Sequence, residues 1–531
     1  MDATTAPWDD PSSRPTAAHD RTEDLTADVV VVGFGAAGAC AAIEAAEAGA
    51  TVLVLDRFGG GGATAISGGV VYAGGGTAQQ RAAGVTDTPQ AMYDYLRQEA
   101  GDAVSADTLR RFCDQSAAMV DWLAGLGVPF DARLCPYKTS YPTNRHYLYY
   151  SGSETAFAEV SPPAPRGHRV YARGTSGRVF AARLTAAARD RGVELREQTR
   201  AERLITDPDT GRVTGVECRT LRAAPAWARL THRVLHRWSV KPGVYLPGLG
   251  RVLHRRAAGI ERRYGRPLRI GAARGVVLSA GGFVFNRPMM REHAPDYRGG
   301  LRLGTPGDDG SGILLGVAAG GSTAFLDRVS IWRFLTPPSA MLGGLLVDRD
   351  GRHVCDETRY GAAIGEAVLR SPGGRAWLLL DAPTVKQCRS QVREQTLWFQ
   401  RWQAYWLLTA GRVTGPTLPA VARRAGVDPA GLVATVGAWG GSPPYSMIDV
   451  SIRKRAAAPA PMLTLGGLRV DEETGQVLGV PGLYAAGRTA VGICSRSYVS
   501  GLSLADCVFS GRRAGLSVAS EDRGGLHAHR G

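Results

Sequence analysis

Three glycines near the start of the chain, Gly33, Gly35 and Gly38, stand in a G-x-G-x-x-G pattern, and Asp56 follows them. Gly33 permits a tight turn, Gly35 lets a pyrophosphate approach the backbone, and Gly38 lets a helix pack closely on a strand. An acid at the distance of Asp56 can bind ribose hydroxyls. The pattern predicts a dinucleotide site, and it leaves open which dinucleotide is bound and which reaction follows.

Two apolar segments and one helix must position these residues. Val29–Val32 is a β-branched run typical of a strand buried on both faces, an alanine-rich helix follows to about Ala48, and Thr51–Leu55 predicts a second buried strand. The helix N-terminus would offer free N–H groups and a partial positive charge to phosphate. The glycine-dense residues 59–76 come directly afterwards, where backbone could wrap a bound cofactor.

Length and composition limit the class of protein. At 531 residues the chain is too long for one core, so two or more domains are expected. The eight cysteines are scattered without a C-x-x-C pair, which predicts reduced thiols in a cytoplasmic protein and no metal site. No segment approaches the ~20 apolar residues of a membrane span. Residues 1–26 and 519–531 are polar and are expected to be a disordered N-terminus and a loose tail.

A change of composition divides the chain. Residues 328–459 are richer in tryptophan and long polar side chains, and the pattern of short strands and glycine turns returns afterwards. We therefore predict an α/β fold with a discontinuous nucleotide domain over residues 27–327 and 460–518, into which residues 328–459 are inserted as an α+β domain. A final helix is expected over Leu502–Val518.

A basic segment, residues 220–266, interrupts the nucleotide domain. Residues 219–269 hold thirteen Lys and Arg against one acid, a net +12 of the chain's +15. A basic amphipathic segment with tryptophans suits an anionic membrane surface, where each Lys or Arg contributes about 1 kcal/mol. The alternative is a solvated arginine-rich excursion, and nucleic acid is disfavoured because no recognised module is present. We predict peripheral membrane contact and no nucleic-acid partner.

Motifs spread along the chain resemble one group of flavoproteins. The first glycine pattern, Ala280-Gly281-Gly282 and Ala485-Ala486-Gly487 are similar to the fumarate reductase/succinate dehydrogenase-type flavoproteins. Within that group the chain resembles the FAD-dependent 3-ketosteroid dehydrogenases, above all those of Δ4-(5α) specificity. The motifs that carry this resemblance are YPT at 141–143, PAPRGH at 163–168, DETRYG at 356–361 and SYVSGLSLADCVFSGRRAG at 497–515.

The resemblance implies a Rossmann-like FAD-binding domain with an inserted catalytic cap domain, and FAD bound without a covalent link. Relatives usually have Glu where this chain has Asp56, and aspartate still accepts two hydroxyls. The last helix is expected to direct its N-terminus at the flavin and to stabilise negative charge there. The implied cofactor contacts are Gly33, Gly35, Ala36, Ala37, Gly38, Asp56, Arg57, Thr64, Ala65, Gly68, Gly69, Ala280, Gly281, Gly487, Ser503 and Leu504.

The same resemblance implies a set of catalytic residues. Tyr498 would be the base with Ser500 as its proton relay, Tyr360 would be its partner or the carbonyl donor, and the Leu502 N–H would be a further donor. Desaturation beside a ketone needs a base for the α-proton, a donor at the carbonyl oxygen, and an acceptor for the β-hydride, here flavin N5. A phenol has a pKa of about 10, so acting as a base near pH 7 requires help of roughly 4 kcal/mol.

The predicted function is FAD-dependent α,β-dehydrogenation of a ring ketone, a 3-ketosteroid or a similar polycyclic or terpenoid compound, with an external electron acceptor. Three alternatives remain: a Δ1-specific 3-ketosteroid dehydrogenase, an ene- or fumarate-type reductase running the reverse half-reaction, and a non-catalytic flavin-binding membrane adaptor. Fumarate reductases hold a dicarboxylate with Arg and His, whereas the inserted domain has one histidine, His353. Its aromatic content suits a flat apolar substrate better.

Overall fold

The structure is a computed structural model, and it describes residues 23–297, 300–437, 439–452 and 460–521. The predicted disordered N-terminus and loose tail therefore lie mostly outside the described residues. The prediction is wrong for residues 23–26, which belong to the first strand because their backbone pairs with a neighbouring strand, Glu23 opposite Leu268. It is also wrong for residues 519 and 520, which extend the last helix beyond the expected Val518.

The strands have the following bounds in chain order: β1, Glu23–Val32; β2, Val52–Leu55; β3, Val70–Tyr72; β4, Leu148–Tyr149; β5, Gly167–Arg169; β6, Glu194–Arg196; β7, Thr199–Thr206; β8, Val213–Thr220; β9, Arg266–Leu278; β10, Leu301–Arg302; β11, Thr323–Ala324; β12, Val329–Ile331; β13, Leu345–Asp348; β14, Ala376–Leu380; β15, Arg412–Gly415; β16, Tyr445–Asp449; β17, Pro461–Thr464; β18, Gly467–Leu468; and β19, Leu483–Ala485.

The α-helices have these bounds: α1, Ala36–Glu47; α2, Gly62–Ile66; α3, Ala78–Ala82; α4, Pro89–Ala100; α5, Ala106–Asp114; α6, Ser116–Gly125; α7, Gly177–Asp190; α8, Ala226–Tyr245; α9, Pro247–Tyr264; α10, Arg287–His293; α11, Ser311–Ala318; α12, Gly361–Arg370; α13, Ala382–Gln395; α14, Trp398–Leu407; α15, Leu418–Ala425; α16, Pro429–Val436; and α17, Leu502–Ser520. No helix in the described part of the chain is long and apolar enough to cross a membrane.

The main sheet is built around β1. Among the described strands its order is β6-β2-β1-β9-β8-β7, with β19 also paired to β9. β1 runs parallel to β2 and β9, and α1 connects β1 to β2 in a βαβ unit. Val29 and Val31 belong to one apolar core, whereas Val30 and Val32 belong to another. A strand with a core on each face must be apolar throughout, which confirms the predicted α/β class and the buried first strand.

The first and last helices pack against each other on one face of this sheet. A Cβ placed at Gly511 or Gly515 of α17 would overlap the backbone of Ala37 or Ala41 of α1. Glycine at these two positions therefore lets the helix backbones touch, at the known cost of glycine in a helix interior. The contact places the middle of α17 beside the N-terminal end of α1, so that the first turns of α17 extend beyond α1 on the side of the glycine loop.

Residues between β12 and β17 form a separate sheet with the order β13-β14-β16-β15, all antiparallel. Val347, Trp377 and Leu379 contribute to its core together with Val421 of α15 and Leu432 of α16. The domain boundaries at residues 328 and 459 stay a prediction.

The basic segment folds into two helices, α8 and α9, inserted between β8 and β9. They cross closely where Gly243 faces Gly250, because a Cβ at Gly243 would lie 2.9 Å from the Gly250 Cα. Glu261, the one acid of the segment, binds Arg57 in a bidentate pair at 2.9 and 3.0 Å. The third arm of the Arg57 guanidinium reaches Asp309 at 2.9 Å. Arg57, predicted as a cofactor contact, thus has all three guanidinium nitrogens engaged by protein acids, two of them with Glu261 of α9 and one with Asp309.

His232 of α8 completes this buried network. Its Nδ1 accepts from the Gln198 amide at 3.0 Å, so its Nε2 donates to Glu261 at 3.0 Å. Burial alone would raise the pKa of Glu261, but the charge of Arg57 and the hydrogen bonds from His232 and Arg57 outweigh it. The pKa of Glu261 therefore lies well below its ordinary value of 4.5.

We expect Glu261→Gln to destabilise the protein by about 3 kcal/mol at pH 7, because the buried Arg57 loses one of its two acid partners. Because the pKa of Glu261 is lower in the folded protein than its ordinary value of 4.5, the ionised Glu261 carboxylate stabilises the folded state above about pH 4.5. This contribution is lost as the pH falls below that value. The difference between variant and wild type should therefore shrink on acidification, measured by chemical unfolding at several pH values. Glu202→Gln, which removes a half-exposed partner of Arg219, is the control and should change stability little. A pH-independent difference would contradict this account.

Candidate active site

The first glycine loop leaves a cradle beside α1. A Cβ at Gly33, whose φ is +99°, would lie 2.7 Å from the Ser279 carbonyl oxygen, and a Cβ at Gly38 would overlap the Gly33 carbonyl. A Cβ at Gly35 would meet only the Thr64 hydroxyl, at 3.6 Å, so the space before it is otherwise open. The Ala36 N–H donates to that hydroxyl at 3.0 Å. An opening of this kind lets a pyrophosphate approach the loop backbone.

Asp56 is held at one end of the cradle by backbone amides. Its Oδ2 accepts from Phe34 at 3.1 Å, and its Oδ1 accepts from Phe58 at 2.8 Å and from Gly60 at 3.0 Å. A carboxylate has about four acceptor sites, so one remains for a ribose hydroxyl. The position fits the role that the sequence assigned to it.

The middle and C-terminal motifs meet beside the N-terminal end of α1. The Gly281 N–H donates to the Thr489 hydroxyl at 3.0 Å, and a Cβ at Gly487 would lie 2.9 Å from the Ala37 Cβ. Ala280 precedes Gly281 in the chain, and its Cβ would lie 3.1 Å from a Cβ placed at Gly312. The structure thus brings Ala37, Ala280, Gly281 and Gly487 together, as the motifs predicted.

Arg488 is a residue that the sequence analysis missed. Its Nη2 donates to the buried Asp308 at 2.6 Å, while its Nη1 is buried and has no hydrogen-bond partner among the described residues. A buried guanidinium nitrogen without an acceptor costs free energy unless a ligand supplies one. FAD, with its phosphates, hydroxyls and ring carbonyls, carries acceptors of the required kind. The sequence signal that could have indicated Arg488 is its position directly after Gly487 in the A-A-G-R run.

The remaining predicted cofactor residues line the adjoining segment. Thr64 and Ala65 lie in α2, and Gly69 has a φ of +64° where a Cβ would overlap Ser176. The Gly68 carbonyl accepts from the Tyr141 hydroxyl at 2.7 Å. These contacts hold the segment beside α1.

The start of α17 corrects one prediction. The Leu502 N–H donates to the Val499 carbonyl at 3.1 Å, so it is not free to bind a substrate ketone. The cause is Gly501, whose φ of +92° folds the chain back at the helix N-cap. The next two amides, of Ser503 and Leu504, have no acceptor among the described residues. They are therefore the available donors at this helix N-terminus, and they suit the carbonyl edge of a flavin.

Two tyrosines from distant parts of the chain meet next to this helix end. Tyr360, at the N-cap of α12, and Tyr498, in the loop before α17, have ring centroids 6.0 Å apart. Trp332 stacks on Tyr498 at 5.3 Å, and Phe334 lies edge-on to Tyr360 at 5.7 Å. Both tyrosines are buried. Trp332 and Phe334 are also in contact, at 5.8 Å, so the four rings form a closed cluster with two phenol hydroxyls, which we call the aromatic box.

Ser500 contacts a different tyrosine from the one predicted. Its hydroxyl lies 3.1 Å from the hydroxyl of Tyr149, a fully buried residue of β4, and its carbonyl accepts from Ser151 at 3.1 Å. Tyr149 was not selected by the sequence analysis. No spacing in that stretch distinguishes it, because the contact depends on β4 lying beside the loop of Ser500.

All three phenols are disfavoured as anions. Burial raises the pKa of Tyr498, the Cys494 thiol acts in the same direction, and contact with the Gly501 backbone opposes it. Burial also raises the pKa values of Tyr360 and Tyr149, and hydrogen bonding with Ser500 opposes each rise. The protein alone keeps these groups neutral at pH 7, so a base among them needs a further positive influence.

His353, the histidine of the inserted segment, does not join this cluster. Its side chain is 43% exposed and lies 3.2 Å from Glu357. No hydrogen bond or ring contact in the described structure connects it to the tyrosine pair.

Comparison with known proteins places this chain in a family. Residues 28–501 match the family model described as FAD binding domain. A 3-oxo-5-alpha-steroid 4-dehydrogenase of Comamonas testosteroni is 38% identical over 499 residues, which cover 87% of this chain and 92% of that protein. A probable fumarate reductase of Shewanella frigidimarina is 25% identical, with 93% of this chain and 75% of that protein covered.

Two solved structures extend the comparison. A crystal structure of 3-ketosteroid-Δ4-(5α)-dehydrogenase from Rhodococcus jostii in complex with 4-androstene-3,17-dione has a TM-score of 0.78 and 30% identity, covering 96% of this chain and 100% of that one. A 3-ketosteroid Δ1-dehydrogenase from Sterolibacterium denitrificans shares the fold, with a TM-score of 0.61, 20% identity, and coverage of 93% and 99%. The chain is therefore an FAD-dependent oxidoreductase that belongs to the 3-ketosteroid dehydrogenase family.

Proposed function

We propose that this protein introduces a double bond next to the ring ketone of a 3-ketosteroid, with Δ4-(5α) specificity. The observation that carries the proposal is the pair of buried tyrosines, 6.0 Å apart in an aromatic box beside the free amides of α17. The relative of 38% identity is named as a 3-oxo-5-alpha-steroid 4-dehydrogenase, which supports the same chemistry. A steroid nucleus is flat and apolar, and the rings of Trp332 and Phe334 offer matching walls.

FAD, when bound, supplies the acceptor for the β-hydride. The cradle at Gly35, the carboxylate of Asp56 and the unpartnered Arg488 nitrogen would hold it, with the Ser503 and Leu504 amides toward its ring. These two amides lie at the positive end of α17, which favours negative charge in this region. That influence opposes the rise that burial imposes on the Tyr498 pKa.

In the proposed mechanism Tyr498 removes the α-proton of the ketone, and the C–H electron pair becomes the new double bond. Tyr360 donates a hydrogen bond to the carbonyl oxygen, where enolate charge builds. Ser500 and Tyr149, with hydroxyls 3.1 Å apart, lead the proton away from the site. The surrounding rings exclude water from the reacting carbons.

An external electron acceptor is needed to complete each turnover.

The peripheral membrane contact predicted for residues 220–266 also stays a proposal, and α8 does expose Trp227, Leu230 and Trp238.

The function is tested by incubating the holoenzyme with a saturated 5α-3-ketosteroid and an artificial electron acceptor. We expect the acceptor to be reduced and NMR of the product to show a new C4–C5 double bond. A C1–C2 double bond would instead identify Δ1 chemistry. Absence of turnover with any ring ketone, together with fumarate reduction by the reduced enzyme, would overturn the proposal.

Tyr498→Phe should lower kcat by about 100-fold or more, because general-base catalysis of this kind contributes at least that factor. The flavin absorbance of the purified variant should be unchanged, since the phenol hydroxyl does not pack the cofactor cradle. Tyr93→Phe, on the partly exposed side of α4, is the matched control and should keep wild-type kcat. Wild-type turnover by Tyr498→Phe would exclude it as the base.

Ser500→Ala should lower kcat without moving the midpoint of the rising limb of the kcat–pH profile. The Ser500 hydroxyl opposes the burial that raises the pKa values of Tyr360 and Tyr149, whereas the groups that shift the pKa of the proposed base, Tyr498, do not include it. The loss of rate would come from the broken contact with Tyr149 on the proposed proton path. Ser497→Ala, in the same loop, serves as the control. An unchanged kcat would exclude Ser500 from the proton path.

A further inference from the structure

Helix α14 presents an unusual aromatic face to solvent. Trp398 and Trp402, one turn apart, are 77% and 82% exposed, and Tyr405 follows on the same face. Phe399 and Trp406 are also exposed, at 45% and 40%. The opposite side of the helix is anchored by the buried Ala404. Large aromatic residues clustered on one surface mark an interaction site, whereas single exposed ones do not.

This helix borders a groove of about 2870 Å³. Phe399 and Trp406 line it from α14, while Arg251 and Arg255 line it from α9. Its apolar lining includes Leu314, Leu315 and Ala318 of α11. The groove therefore joins the aromatic helix to the basic helical pair in one continuous surface.

The arginines of the groove fall into two groups. The first group has acid partners: Arg57 and Arg200 face Glu261, Arg203 binds Glu217, and Arg219 binds Glu202. The second group, which we call the groove arginines, forms no ion pair with an acid among the described residues. Its members are Arg251, Arg255, Arg262, Arg287, Arg291 and Arg302.

The groove arginines are close enough to repel one another. Burial lowers the pKa of Arg302, and the charges of Arg287 and Arg251 lower it further. Arg287 in turn is influenced by Arg251, Arg291 and Arg255. Like charges gathered from α9, α10 and β10, which form no ion pairs with acids among the described residues, favour the binding of an anion that offsets their repulsion.

We propose that this surface docks on a bilayer of anionic phospholipids, with lipid phosphates in the groove and the aromatic face of α14 in the headgroup region. Tryptophan and tyrosine favour the membrane interface, and arginines next to them attract anionic lipid. A second copy of the chain is a poorer occupant, because a symmetric contact would place the groove arginines against their own counterparts. The anchor is thus α14, which lies outside the basic segment that the sequence singled out.

The experiment is co-sedimentation of the full-length holoenzyme with vesicles, which requires no assumption about its substrate. Vesicles of phosphatidylcholine alone are compared with equimolar phosphatidylcholine and phosphatidylglycerol. We expect binding only to the anionic vesicles and a decrease on adding salt. Arg251→Gln combined with Arg287→Gln, both at exposed positions, should weaken this binding by about 10- to 30-fold. Arg352→Gln combined with Arg423→Gln removes the same charge from exposed positions outside the groove and should have a much smaller effect.

Trp398→Ser combined with Trp402→Ser provides a second, independent arm. These side chains are almost fully exposed, so the variant should keep its flavin and its fold while losing most of its binding to anionic vesicles. Three results would overturn the proposal: no sedimentation with anionic vesicles, equal loss in the control and groove variants, or a tryptophan variant that binds as wild type. If light scattering shows that the wild type is a dimer and the tryptophan variant a monomer, and neither binds vesicles, the aromatic face would instead be assigned to contact with a second copy.

Discussion

The contact between α1 and α17 is the constraint on which the site depends. Gly511 and Gly515 let the two helix backbones touch at Ala37 and Ala41. Because of that contact, the loop that carries Tyr498 comes to the end of the sheet where the first glycine loop lies. A side chain at either glycine would separate the helices and move the free amides of α17 away from the cradle. The catalytic and cofactor halves are therefore coupled through backbone packing.

Two largely buried arginines beside the cofactor cradle are each paired with acids. Arg57 is neutralised by Glu261 and Asp309, and Arg488 by Asp308. At the tyrosine site no acid or base of the described residues forms an ion pair or hydrogen bond with the phenols, and burial keeps them protonated. Breaking a buried pair is costly, whereas a neutral phenol is tolerated in an apolar box. The resulting site is stable without substrate, and it depends on the helix terminus and the bound cofactor to favour an anion during turnover.

Sequence patterns were sufficient where local geometry dictates residue type. The alternation-free run of Val29–Val32 required a strand buried on both faces, and the spacing of Gly33, Gly35 and Gly38 required a turn with close backbone approach. Sequence patterns were insufficient where the role of a residue depends on its contacts with residues distant in the chain. In the sequence Arg57 is next to Asp56, the acid predicted to bind the ribose, yet two of its nitrogens bind Glu261 of the inserted helix α9. Leu502 reads as a donor at a helix N-terminus, yet Gly501 turns its amide onto Val499.

The sequence by itself determined the α/β class, the dinucleotide loop and, through its motifs, the flavoprotein family, because each of these depends on residues adjacent in the chain or repeated at fixed spacing. Only the tertiary structure decided that Ser500 meets Tyr149, that Arg488 has an unsatisfied buried nitrogen, and that the tryptophans of α14 share a surface with the groove arginines of α9 and α10. These juxtapositions join residues from separate strands and helices. No periodicity along the chain encodes such distances, since they arise from the packing of whole elements against common cores.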